Sequence, residues 1–296
     1  MTAQILDGRA LAAALRAKVA AQVARLAAEH ARVPGLAMIK VGTDPASAVY
    51  VRSKMLHTTN AGIRSDVHEL AAATTQTALL RLIATLNADP AIHGILVQLP
   101  LPAQIDPRAV IAAIDPRKDV DGFHPLNAGR LVTGLPTLTP CTPLGCLLLT
   151  KTVSPVLSGR EAIVIGRSTI VGRPLSHMLL AEDVTVTIAH SKTPDLPALT
   201  RRADLVYAAT GRPGLVRGSW LKPGAIVVDI GIHRRIGPDG KSWLVGDVAF
   251  AEALPVAAAI TPVPGGVGPM TIACLLVNTV RAACAIGGLA VPEFDS

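Results

Sequence analysis

Tyr50 and Lys54 stand four residues apart in a stretch that reads as a helix, so both project from one face. Gln98 closes an apolar run just before Leu99 and Pro100, and Asp121 lies in Lys118-Asp-Val-Asp-Gly-Phe-His-Pro125. A phenol, an amine, an amide and a carboxylate together suit proton transfer near an anion-bearing substrate. A lysine acts as the base only where burial or neighbouring charge lowers its pKa. On spacing alone, such a Tyr/Lys pair is more often a solvated surface pair. Asp119, Asp121 and His124 also raise the idea of a metal site. Aspartates in an Asp-Gly turn more often bond to the local backbone, so no metal is expected.

A second chemistry is written in Gly166-Arg-Ser-Thr-Ile-Val-Gly172-Arg-Pro174, which follows an apolar run and opens a helix. That is the setting of a dinucleotide-binding turn. Gly166 permits the tight turn and Gly172 a close helix–strand approach. The N–H groups at the helix start can hold a pyrophosphate. Ser168 stands where a second glycine is usual, so the fingerprint is imperfect, and a merely structural strand–turn–helix is the competing reading. The next strand ends Ala189-His190-Ser191-Lys192, with no acid for a ribose 2′-hydroxyl. Ser191 and Lys192, with Arg167, suit a 2′-phosphate, which favours NADP over NAD. Thr210-Gly211 and Gly231-Ile232 follow two further strand-like runs and are candidate cofactor contacts, or plain strand-to-loop junctions.

These residues need a scaffold, and the pattern supplies one. Helices are expected over residues 9–31, 46–61, 75–88 and 107–114, and strands over Leu36–Val41, residues 64–70 and His93–Leu99. A proline-rich, turn-rich stretch follows from Asp115 to Pro143. The alternation resumes with strands at Glu161–Ile165, Val184–Ile188, Leu205–Ala209 and Ala225–Ile230. Helices are expected over 173–181, near 195–202, and over 270–286. Strand and helix in alternation predict an α/β protein of two domains, each a mostly parallel sheet with flanking helices, the second Rossmann-like, with the active-site cleft between them. The expected domains are 1–122, completed by the C-terminal helix 270–296, and 123–269.

Bulk composition narrows the function classes. The chain has 296 residues, half of them hydrophobic, which suits two modest cores and argues against disorder. Mean hydropathy is +0.45, yet the longest uncharged stretches, Leu131–Thr150 and Ala253–Val280, are broken by prolines, so no membrane span is expected. The start of the chain lacks the pattern of a secretory signal. Cys141, Cys146, Cys274 and Cys284 form no CxxC pair, which suits reduced thiols in a cytoplasmic protein. The net charge of +7 favours anionic partners. Aromatic residues are only 2% of the chain and no nucleic-acid motif appears, so a phosphorylated cofactor and a polycarboxylate substrate are preferred to nucleic acid.

Taken together, six stretches in order resemble the bifunctional methylenetetrahydrofolate dehydrogenase/cyclohydrolase family. They are Val41–Lys54, Gly94–Pro102, Lys118–Pro125, Pro140–Pro143, Gly166–Pro174 and Ile260–Thr271. The resemblance implies oxidation of methylenetetrahydrofolate with NADP, then hydrolysis to 10-formyltetrahydrofolate, in a homodimer acting on tetrahydrofolates, polyglutamylated or not. It implies that Lys54 assists proton transfer, Gln98 tunes Lys54, Tyr50 packs along the substrate and Asp121 binds the pterin edge. Val97, Leu99, Pro264, Gly265 and Gly266 line the substrate. Gly166–Ser168, Ser191 and Ile232 contact NADP by this correspondence, while His190, Lys192, Thr210, Gly211 and Gly231 stay candidates from their own placement. The chain departs from the pattern at Met55–Thr58, Thr169 and Ala249. The competing expectations are a monofunctional NAD(P)-dependent dehydrogenase and a non-catalytic nucleotide-binding protein of the same fold. Intact Tyr50, Lys54, Gln98 and Asp121 argue against both.

Overall fold

The computed structural model describes residues 2–237 and 240–294, with the backbone alone for 45–49. It divides into two compact units. One holds residues 1–12 and 142–271, the other residues 13–141 and 272–296.

Runs buried on both faces make two of the three strands of the second unit, while the third, Arg64–Leu70, is exposed or half-buried along its length. After β1 (Gln4–Ile5) and α1 (Gly8–His30) come β2 (Gly35–Val41), α2 (Pro45–Asn60), β3 (Arg64–Leu70), α3 (Gln76–Ala88) and β4 (Gly94–Val97). The three strands β2, β3 and β4 form a parallel sheet in the order β3-β2-β4. Both β2 and β4 are buried throughout, as expected of a parallel sheet covered by crossover helices. Thr75 caps α3, accepting from Ala78 N, and its buried Leu79, Ile83 and Leu86 sit at helical spacing over Ile39, Ile92 and Ile95. α4 (Pro107–Ala113) and α5 (Pro125–Val132) each start with proline just inside a capping residue, Asp106 and His124.

The first unit carries a longer parallel sheet. It is built from α6 (Cys141–Lys151), β5 (Glu161–Ile165), α7 (Gly172–Leu180), β6 (Thr185–Ala189), α8 (Leu196–Thr200) and β7 (Leu205–Ala208), with a 3-10 turn at Gly218–Trp220. Then follow β8 (Ile226–Asp229), β9 (His233–Ile236), β10 (Ser242–Val245), α9 (Phe250–Ala253), β11 (Ala259–Ile260) and α10 (Val267–Ile286), which from residue 272 onward belongs to the other unit. The six-stranded order is β1-β11-β8-β7-β5-β6, and β9 and β10 form a separate antiparallel hairpin. Its core gathers Ile163, Ile165, Val206, Val227 and Ile260. The strand order reverses between β5 and β7, the place where α/β sheets bind ligands.

Several expectations need correction. The stretch 115–143 contains α5 and the start of α6, because its prolines begin helices instead of breaking them. The compact units divide at 12/13, 141/142 and 271/272. The first residues join residues 142–271 because β1 extends that unit's sheet, Gln4 pairing with Ala259. A 20-residue helix, α10, is apolar enough to pass for a membrane span, with hydropathy 1.6, but 72% of that window is buried in the protein.

Candidate active site

The second unit's sheet also reverses order, between β2 and β4, and Gln98 stands just past the carboxyl end of β4, its N–H bonded to Ile39 O at 2.8 Å. Its side chain has a fixed sense. Nε2 donates to Leu99 O at 2.8 Å, so Oε1 is the atom that accepts from Lys54 Nζ at 3.1 Å. Lys54 comes from α2 and is 9% exposed. Tyr50, one turn earlier, is 39% exposed, and partial burial raises its hydroxyl above the usual pKa. Val97 is buried, and Leu99 precedes a cis peptide to Pro100.

Asp121 is delivered by a segment whose neighbours are all tied down. Lys118 is buried and donates to three carbonyls, Leu86, Asn87 and Asp89, at 3.1, 2.7 and 2.8 Å, which closes the end of α3. Asp119 accepts from Phe123 N, His124 N and Asn127 Nδ2 at 3.2, 2.7 and 2.9 Å. It is thus used on the local backbone. Asn278 of α10 donates to Val120 O and Thr139 O, both at 2.8 Å. A Cβ on Gly122 would lie 2.5 Å from Thr139 C, so only glycine allows that closure. Half-buried Asp121 has its carboxyl pushed up to about 6 by burial, with Lys54 opposing and Asp119 adding to the shift. Lys54, Gln98 and Asp121 therefore belong to one electrostatic neighbourhood. No group of three or more His, Cys, Asp and Glu suited to a metal ion occurs among the described residues.

The first unit holds the other candidate residues. Gly166 follows β5 at φ 138°, and a Cβ there would lie 2.2 Å from Ala209 O, past the end of β7. A Cβ on Gly172 would lie 2.1 Å from Gly166 O. Ser168 Oγ accepts from Val171 N and Gly172 N at 3.2 Å each, so the serine supplies a helix cap where a glycine was usual. The N–H groups of residues 167–170 make no hydrogen bond to the described residues and remain for an anion at the start of α7. This cradle fits a pyrophosphate. After β6, His190 Nδ1 accepts from Lys192 N at 3.1 Å, while the side chains of Arg167, Ser191 and Lys192 are exposed. Thr210, Gly211, Gly231 and Ile232 follow β7 and β8 at the same sheet end. Pro264, Gly265 and Gly266 lie in this unit too. A Cβ on Gly8 would lie 1.8 Å from Gly266 O, which fixes that loop against the start of α1.

Two supporting residues had no place among the sequence expectations, Lys118 and Asn278. The available signal was a lone amide in the apolar run of α10 and a lysine flanked by aspartates, and neither names its partner, which lies far along the chain.

A parallel sheet with a glycine turn at its switch point in one unit, and a buried lysine–amide pair in the other, define a dinucleotide-linked α/β enzyme class. Residues 6–121 match the family model of the tetrahydrofolate dehydrogenase/cyclohydrolase catalytic domain, and residues 140–286 that of its NAD(P)-binding domain. The chain is 64% identical over 293 residues to the bifunctional protein FolD of Afipia carboxidovorans, covering 99% of this chain and 100% of that one. Its structure is similar to the bifunctional FolD methylenetetrahydrofolate dehydrogenase/cyclohydrolase of Campylobacter jejuni, with TM-score 0.91 and 48% identity over 95% of this chain and 98% of that one. It is equally similar, at TM-score 0.91 and 41% identity over 96% and 98%, to the Trypanosoma brucei N5,N10-methylenetetrahydrofolate dehydrogenase-cyclohydrolase complexed with NADP cofactor and inhibitor. The chain belongs to the tetrahydrofolate dehydrogenase/cyclohydrolase family.

Proposed function

We propose that this protein oxidises 5,10-methylenetetrahydrofolate to 5,10-methenyltetrahydrofolate with NADP and then hydrolyses that product to 10-formyltetrahydrofolate. The observation that carries the reading is the Lys54–Gln98 pair, a buried amine held by an oriented amide beside Asp121. An amine held in this way suits the proton transfers of the hydrolytic step.

A bound NADP would supply the hydride acceptor for the folate one-carbon unit. Gly166, Arg167 and Ser168 hold its pyrophosphate, Thr210, Gly211, Gly231 and Ile232 border it, and Arg167, Ser191 and Lys192 meet the 2′-phosphate, with His190 shaping that turn. The absence of any acid between Ala189 and Lys192 supports NADP over NAD. Asp121 accepts hydrogen bonds from the aminopyrimidinone edge. Tyr50 packs along the substrate, flanked by Val97 and Leu99, and the Pro264-Gly265-Gly266 backbone approaches it. In hydrolysis, water adds to the methenyl carbon, loses a proton, and the carbon–nitrogen bond then breaks as the nitrogen is protonated. Lys54 moves those protons, and Gln98 holds the amine in place. We assign folate chemistry to the unit containing α2 and β4, and place the protein in the cytoplasm as a homodimer acting on tetrahydrofolates, polyglutamylated forms included.

A coupled absorbance assay tests this. Methylenetetrahydrofolate is added with NADP or NAD, and reduced nucleotide and methenyl product are followed in wild type and Lys54→Ala. Wild type should reduce NADP with little methenyl build-up, and the variant should accumulate it. Absence of nucleotide reduction with either cofactor overturns the reading.

A further inference from the structure

Beyond the turn that opens α7, two buried carboxylates tie together the loops after β7, β8 and β10. Asp229, the last residue of β8, accepts from Gly231 N, Asp247 N and Val248 N at 3.0, 2.8 and 2.9 Å. Asp247, just past β10, is wholly buried. Its Oδ2 accepts from Thr210 N at 2.5 Å and Gly211 N at 3.1 Å. Its Oδ1 lies 2.7 Å from His233 Nε2. An ionised carboxylate can only accept, so the imidazole donates.

The packing is reciprocal. A Cβ on Gly231 would lie 2.4 Å from Asp247 Cγ, and a Cβ on Gly246 would lie 1.9 Å from Asp229 Oδ2. Each carboxylate occupies the space that a side chain would fill on the other's loop. Burial pushes the Asp229 carboxyl up to about 6, and the neighbouring Asp247 charge adds to the shift. Placing two carboxylates side by side in a protein interior costs stability. What the arrangement achieves is local: the Thr210-Gly211 backbone is held through its N–H groups by a carboxylate that His233 braces from the β9–β10 hairpin.

We propose that Asp247, braced by His233, is a positioning residue for the dinucleotide site, holding the Thr210-Gly211 turn in its binding conformation before the cofactor arrives. The proposal rests on the reading that Thr210 and Gly211 contact NADP. Ordering a loop in advance lowers the cost of binding. Loss of the brace therefore weakens cofactor binding without touching the lysine that serves hydrolysis, which needs no nucleotide.

The test uses the full chain with His233→Leu and His233→Gln. Leucine cannot donate to Asp247, whereas glutamine restores an N–H. The expected result for His233→Leu is a KM for NADP raised about tenfold with kcat nearly unchanged, the loss of one charge-assisted hydrogen bond. Methenyltetrahydrofolate hydrolysis without nucleotide stays at the wild-type rate, and His233→Gln recovers most of the affinity. NADP should also raise the melting temperature of His233→Leu less than that of wild type. An unchanged KM for NADP in His233→Leu overturns the proposal. So does a parallel loss of hydrolysis and oxidation, which makes His233 a support of the fold alone. A wild-type protein that hydrolyses the methenyl compound yet neither binds nor reduces NADP overturns the underlying reading of the cofactor site instead.

Discussion

Replacing Gln98 with Leu removes an amide that faces two ways while nearly conserving side-chain volume. Its Nε2 is committed to Leu99 O at 2.8 Å, and that bond points Oε1 at Lys54 Nζ, 3.1 Å away. Leucine leaves the amine with no acceptor from position 98. Lys54 keeps only 9% of its surface, so water replaces the amide poorly. A hydrogen bond to a charged group contributes about 1.5–3 kcal/mol. Taking about 2 kcal/mol, expressed wholly in the hydrolytic transition state, the rate falls roughly 30-fold. Hydride transfer asks no proton of Lys54, so oxidation should change by less than about threefold. Stopped-flow decay of methenyl absorbance without nucleotide reports the first rate, and nucleotide reduction reports the second. Gln98→Glu keeps an acceptor oxygen toward Lys54 and should lose less than Gln98→Leu. The reasoning is refuted if Gln98→Leu hydrolyses the methenyl compound within about twofold of wild type, or if the two activities fall in parallel.

Two further outcomes follow from the same unit. Burial raises the Asp121 carboxyl to about 6, so the free protein loses that carboxylate as pH falls through this value, and with it the acceptor proposed for the pterin edge. The KM for methylenetetrahydrofolate should therefore climb by about tenfold between pH 7 and pH 5, and a flat profile would remove Asp121 from binding. Asn278→Ala leaves Val120 O, which is buried, and Thr139 O, which is partly buried, without that donor. It should cost about 1–3 kcal/mol in urea unfolding, and a loss below about 0.5 kcal/mol would show that the amide does not hold the Asp121 segment.

Much of the parallel scaffold was legible because buried strands and amphipathic helices repeat with different periods. The strand Glu161–Ile165 and the cofactor-turn glycines are where the pattern put them, and Gly166 and Gly172 each face a backbone carbonyl at a distance no Cβ tolerates. The illegible parts share a cause. β1 and β11 have two residues each, too short for any period, and exist because a neighbouring strand receives them. The hairpin β9–β10 carries exposed Ile236 and Trp243, so no inward-facing alternation marks it. α5 and α6 hide behind prolines that begin helices.

Ser168 shows how a serine can stand where a fingerprint has glycine and still leave backbone N–H groups unused. The second glycine of the usual pattern spares room near a pyrophosphate. Here the side-chain oxygen turns back on Val171 N and Gly172 N, so it satisfies the helix start and leaves the N–H groups of residues 167–170 for a ligand. The same holds for Asp229-Ile-Gly231 and Gly246-Asp247. Read singly, each is a strand end beside a glycine. Their meaning appears only when each glycine admits the other segment's carboxylate. A residue acting on its own backbone or its own helix face leaves a mark in the sequence. A residue acting on a segment many positions away, as Asn278 does on Val120, leaves only an unexplained polar atom in an apolar run.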